Sequence, residues 1–138
     1  MRVLMVDDLT DEIEIFAAQL EKAGHQVTKE PDLDNALKEL KSGQYQLLIL
    51  DIMMPAGRYQ GAPGNEEGMT TGLEFLKELR KDLPSLPVIV LTNVSRSEVL
   101  KQLHGIPSTR MVQKASVSYP LDALPRLAER FVRTCRPF

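Results

Sequence analysis

The sequence predicts an α/β fold: a single doubly wound (βα)5 domain whose parallel five-stranded sheet runs in the order 2-1-3-4-5. Three observations carry this. Short apolar runs recur along the chain, stretches of helical periodicity separate them, and 138 residues suffice for one domain with a real core.

The strands come first. "VLMV" (3–6), "LLILD" (47–51) and "VIVLT" (88–92) are continuously apolar, as in strands buried on both faces of a parallel sheet. "QVTKE" (26–30) has only Val27 as a clear apolar anchor and is expected at an edge. "RMVQK" (110–114) completes the set.

Helices fill the intervals. Ile13, Phe16, Ala17 and Leu20 follow the i, i+3, i+4, i+7 spacing, and Gly24 ends that helix. Leu33, Ala36, Leu37 and Leu40 repeat the pattern up to Gly43. Leu73, Leu76, Leu79 and Leu83 precede Pro84; Val99, Leu100 and Leu103 precede Gly105 and Pro107. The last group is Leu124, Leu127, Ala128 and Phe131. Parallel strands need crossovers, and right-handed crossovers leave few strand orders. The weak second strand at the edge selects 2-1-3-4-5.

Residues 56–71, "AGRYQGAPGNEEGMTT", break the rhythm with four of the eight glycines and no apolar period. The stretch exceeds the usual connection of about 2–6 residues. Thr71 and Glu74 form a capping-box pattern, so the third helix is expected to start there. The segment is read as an extended loop insertion beside the ligand-binding rim, with Arg58 and Tyr59 available for contacts.

Composition excludes several classes. Apolar residues make up 43%, charged residues 26%, and the net charge is −2, which offers no basic face for nucleic acid. No apolar run reaches the length of a membrane span, and the N-terminus leads directly into a strand without a signal-peptide pattern. A single Cys135 forms no internal disulfide and has no His or second Cys nearby in sequence, so it is read as inert. The expectation is a cytoplasmic protein that, as a complete chain, works through partners or performs its own chemistry.

In such a sheet, ligands sit beyond the carboxyl ends of the strands, near the switch point between strands 1 and 3. Strand 1 leads into Asp7 and Asp8, strand 3 into Asp51, strand 4 into Thr92 and strand 5 into Lys114. Three carboxylates close together require compensation. An all-oxygen donor set with few carboxylates suits Mg²⁺, and Mg²⁺ with the Lys114 ammonium balances the three negative charges. A carboxylate so placed is a nucleophile towards phosphorus. The Thr92 hydroxyl is positioned to donate to a phosphoryl oxygen. His25 and His104 each adjoin a helix-ending glycine and stand apart from this set, which argues against a phosphohistidine carrier.

"VLMVDD", "LLILDIMMP", "VIVLTN" and "VQKAS" resemble the four motifs of the response-regulator receiver domain, a flavodoxin-like fold, and the chain is similar to a stand-alone chemotaxis receiver. The resemblance covers everything except residues 56–71. It implies that Asp51 is the phosphoacceptor, Asp8 a direct Mg²⁺ ligand, Asp7 a ligand through water and the Met53 backbone carbonyl a third protein ligand. Thr92 and Lys114 would bind the phosphoryl oxygens. The implied partners are a histidine kinase or phosphotransfer protein as donor and a downstream target protein. The implied activity is Mg²⁺-dependent assistance to the domain's own phosphotransfer and dephosphorylation, not catalysis on a separate substrate.

The chain departs from the family pattern at two further places. Ala115 follows the lysine where proline is usual, and Met111 occupies the position of an aromatic switch residue. Both favour, mildly, an alternative in which a receiver-like adaptor binds independently of phosphorylation. A third reading, an aspartyl-phosphate phosphatase, expects an acid two residues after Asp51; Met53 stands there.

Overall fold

A computed structural model describes residues 1–6, 10–51, 71–92 and 97–135 of the 138. In chain order these form β1 (Arg2–Val6), α1 (Thr10–Lys22), β2 (Gln26–Lys29), α2 (Leu33–Lys41), β3 (Leu47–Leu50) and α3 (Thr71–Asp82). They continue with β4 (Val88–Thr92), α4 (Ser97–His104), β5 (Thr109–Gln113), α5 (Lys114–Val117) and α6 (Ala123–Cys135). The strands make one parallel sheet in the order β2-β1-β3-β4-β5, as the sequence predicts.

Strand alternation sorts the apolar residues into two cores. Leu4, Val6, Leu48, Leu50, Val88 and Val90 face α2, α3 and α4, where Ala36, Leu40, Phe75, Leu76, Leu79 and Leu103 cover them. Val3, Met5, Leu47, Ile49, Ile89, Leu91 and Val112 face α1, α5 and α6 and meet Phe16, Leu20, Val117, Leu124, Ala128 and Val132. The three central strands are thus dry on both faces, which is why they read as unbroken apolar runs. At the β2 edge only Val27 packs inward, and Gln26, Thr28 and Lys29 are exposed.

Local signals set the helix ends. In α1, Gly24 adopts φ +96°, and the amides of Gly24 and His25 donate to the carbonyls of Glu21 (3.0 Å) and Leu20 (3.1 Å). This left-handed cap satisfies carbonyls that the last turn would otherwise leave open. The α2 helix begins at Asp32, whose carboxylate accepts from the amides of Asp34 (2.8 Å) and Asn35 (3.2 Å). α3 starts at Thr71, as the capping pattern implies, and Thr71 itself is fully buried. The preceding residues of the expected loop, 56–70, lie outside the described residues.

Two boundaries differ from the sequence reading. β5 stops at Gln113, and Lys114 opens the one-turn α5 instead of closing the strand. β3 ends at Leu50, leaving Asp51 just past it, still anchored by its amide to the Val6 carbonyl at 3.1 Å. Helical hydrogen bonding draws the chain away from the sheet once the residue after Gln113 turns αR.

At the opposite rim, Arg80 of α3 reaches across to the chain before β5. Its guanidinium donates to the Leu83 carbonyl (2.8 Å), the Ser108 carbonyl (2.9 Å) and the Thr109 hydroxyl (3.0 Å). Ser108 holds φ +53°, uncommon for a residue with a Cβ. The planar fork of Arg80 is suited to fixing that turn.

Candidate functional site

The row Val6, Leu50, Val90 and Met111 runs level across the sheet through β1, β3, β4 and β5. Everything just beyond that row emerges at the carboxyl rim. Asp51 is one residue past β3, Thr92 is the last residue of β4, and Lys114 is one residue past β5. Period-two alternation continues Leu47 and Ile49 into Asp51, and Arg110 and Val112 into Lys114, on the α1/α6 side.

The two side chains meet there. Lys114 Nζ lies 3.0 Å from Asp51 Oδ2, and their side chains are only 7% and 4% exposed. Beneath the carboxylate is an apolar floor of Met5, Phe16, Ile49 and Leu91, enclosing a void of about 10 Å³. Burial of both charges makes each depend on the other: an ionised carboxylate away from water needs a cationic partner, and so does the reverse. Lys114 is held from two directions, by Val112 upstream and by Val117 downstream, both in the same core.

Asp7, Asp8 and Met53 lie outside the described residues, as does the side chain of Thr92. The described structure therefore brings Asp51 and Lys114 together and gives the strand position of Thr92. Neither histidine joins them. His25 is turned towards the far rim, where its Nδ1 is 2.8 Å from the Met1 nitrogen and its Nε2 is 3.1 Å from Glu129 Oε1. His104 is exposed in the last turn of α4. The α5 turn that carries Lys114 escaped the sequence reading; its one signal is Val117, three residues on, at helical spacing.

Residues 3–117 match the family model described as response regulator receiver domain. The chain belongs to that family. Among curated relatives of this receiver domain, the transcriptional regulatory protein DltR of Streptococcus agalactiae is 30% identical over 106 residues, covering 77% of this chain and 41% of DltR. PhoP of Bacillus subtilis, a regulator of alkaline phosphatase synthesis, is 28% identical over 91 residues, covering 66% of this chain and 32% of PhoP. The chain thus spans well under half of the length of these relatives.

Among solved structures, the receiver domain of NtrX from Brucella abortus is 28% identical with a TM-score of 0.71, covering 96% of this chain and 98% of that one. TrrA from Thermotoga maritima, determined in complex with Mg²⁺-BeF, is 27% identical with a TM-score of 0.68, covering 94% and 97%. The fold of this receiver is accordingly the flavodoxin-like one shared by its neighbours. Among the described residues, no helix is long and apolar enough to cross a membrane.

Proposed function

We propose that this receiver takes a phosphoryl group onto Asp51 from the phosphohistidine of a kinase or phosphotransfer protein, and signals through altered binding to a downstream protein. The observation that carries this is the buried contact of Asp51 with Lys114 at the carboxyl rim. A carboxylate oxygen of Asp51 attacks phosphorus; the O–P bond forms, the P–N bond to the donor imidazole breaks, and the imidazole leaves and takes up a proton. Lys114 then has a phosphoryl oxygen to pair with in place of the bare carboxylate, and the Thr92 hydroxyl donates to another. The ammonium offsets charge that gathers on the transferring group.

Asp7, Asp8, Asp51 and the Met53 carbonyl form an all-oxygen donor set, the chemistry that suits Mg²⁺. Asp51 is the member with a described environment, and its buried carboxylate, set against the Lys114 ammonium, is chemically suited to cations. When bound, the ion would neutralise carboxylate and phosphoryl oxygens. In this reading the chain is a phosphoacceptor that assists its own transfer and hydrolysis, acts in the cytoplasm, and is one receiver domain with an insertion at 56–71. Its net charge of −2 gives no support to nucleic-acid binding by this stretch, although DltR and PhoP are named as regulators of transcription or synthesis.

The test is incubation with acetyl phosphate and Mg²⁺ followed by intact-mass measurement. One phosphoryl adduct is expected on the wild-type chain and none on Asp51→Asn. An adduct of full strength on Asp51→Asn refutes the assignment.

A further inference from the structure

Lys114 reaches Asp51 from a sparsely anchored stretch of chain. The one-turn α5, Lys114–Val117, buries only its first and last residues. Ala115 and Ser116 between them are exposed, and so is every residue from Ser118 to Asp122. Val117, 3% exposed, is therefore the one buried side chain between Lys114 and Leu124. Three positions apart in a helical turn, Lys114 and Val117 share a face. That face lies on the α1/α6 side of the sheet, where Val117 belongs to the same core as Ile89, Leu91 and Val112. The Ser118 hydroxyl closes the turn by donating to the Ala115 carbonyl at 3.1 Å. Ala115 has no ring to fix its own backbone, so rigidity beside Lys114 comes from packing.

We infer that Val117 is the positioning residue for Lys114: by pinning the far end of α5, it sets where the ammonium stands relative to Asp51. A flexible lysine stem gives its ammonium many positions, so a defined contact of 3.0 Å depends on a fixed Cα. Upstream, the β5 ladder and Val112 supply that constraint. Downstream, the next buried anchor after Val117 is Leu124, already within α6. This role rests on the phosphotransfer proposed above, in which the same ammonium meets the phosphoryl oxygens. Val117 acts there through Lys114, not on the phosphoryl group.

The test compares Val117→Ala with Val132→Ala. The second makes the same truncation in the same core, also at 3% exposure, but in α6 beside His25 at the opposite rim. Two readouts separate position from general stability. The first is acylation of the lysines by acetic anhydride at neutral pH, mapped by mass spectrometry. Local opening exposes a buried amine, and Lys114 should be labelled about tenfold faster in Val117→Ala than in wild type or Val132→Ala. The second is the rate of phosphorylation by acetyl phosphate with Mg²⁺, which misplacement of the ammonium should lower by about tenfold in Val117→Ala alone. Val117→Ile, which keeps a branched apolar anchor, should restore both.

If circular dichroism shows Val117→Ala to be unfolded, Val117→Thr, equal in shape but polar, carries the same comparison. Faster labelling with an unchanged phosphorylation rate upholds the positioning and counts against the role of Lys114 in transfer. Unchanged labelling of Lys114 overturns the inference. So does equal behaviour of Val117→Ala and Val132→Ala.

Discussion

Lys114 and Asp51, 63 positions apart in sequence, form an ion pair of 3.0 Å whose side chains are 7% and 4% exposed. Desolvation of such a pair consumes most of its Coulombic gain, but removing one partner takes away part of what compensates the other buried charge. Lys114→Ala is therefore expected to lower stability by about 3 kcal/mol in metal-free urea denaturation. The double variant Asp51→Asn/Lys114→Met should regain a large part of this, because neither buried charge remains. A double variant no more stable than Lys114→Ala would show that the pair is not what the substitution disrupts.

Mg²⁺ should raise the melting temperature of the wild-type chain and leave that of Asp8→Ala nearly unmoved. Ligand that binds only the folded state stabilises by mass action, about 1.4 kcal/mol at tenfold excess over Kd. Thermal melts with and without millimolar Mg²⁺ provide the check. Equal shifts in the two proteins would remove Asp8 from the proposed donor set.

Gln19→Met should stabilise the fold. Gln19 is 7% exposed, and among the described residues neither its amide oxygen nor its amide nitrogen has a hydrogen-bond partner. A buried amide without partners forfeits its hydration, and an apolar side chain of similar shape avoids that cost, for a gain of about 1 kcal/mol. Urea denaturation measures it. A loss of stability would mean that the amide is satisfied in solution.

Glu39 makes stability sensitive to mild acid. A side-chain hydrogen bond with Glu30 raises its carboxyl above the ordinary value of 4.5; burial adds to this, and the Tyr45 hydroxyl opposes it. The folded chain thus holds this proton more tightly than the unfolded chain. The resulting stabilisation is complete below 4.5 and disappears as pH rises through the elevated folded value. Glu39→Gln should abolish this dependence. The effect is small because the pair is exposed to solvent. Denaturation midpoints across pH 4 to 7 should show a shallower profile for the variant; parallel profiles would contradict the coupling.

Residues 57–69 can be replaced by a short connection that retains Thr70 and Thr71 at the start of α3. Loop length costs stability only logarithmically, so folding should persist. The segment follows Asp51 closely, and its removal is expected to change the rate of phosphorylation by acetyl phosphate or of phosphoryl loss. Unchanged rates and unchanged partner binding would reduce the insertion to a tolerated surface feature.

The sheet was legible because dry strands have a distinctive composition. The runs Val3–Val6, Leu47–Leu50 and Val88–Leu91 are buried on both faces and contain no polar residue. The edge position of β2 followed from Val27 being its one apolar anchor. The buried face of α3 was harder to read: Phe75, fully buried, falls outside the leucine period because α3 buries a face wider than one stripe. Of the candidate site, the sequence showed residue types at expected strand ends, of which the described residues place Asp51, Lys114 and the strand position of Thr92. The Asp51–Lys114 contact was not legible, since it depends on registers transmitted through the intervening β4 and on a turn, α5, too short to carry a period.

The separation of the cores by the sheet has a consequence for how this sequence tolerates change. Leu76 and Leu124 are both fully buried, yet they pack in different clusters on opposite sides of the strands. Distant sites without shared neighbours contribute nearly independently. Variation can therefore accumulate on the α2, α3 and α4 side without restricting which residues are acceptable on the α1 and α6 side. Lineages of this domain are free to remodel one flank at a time, and the flank behind Asp51 and Lys114 can be held constant while the other drifts.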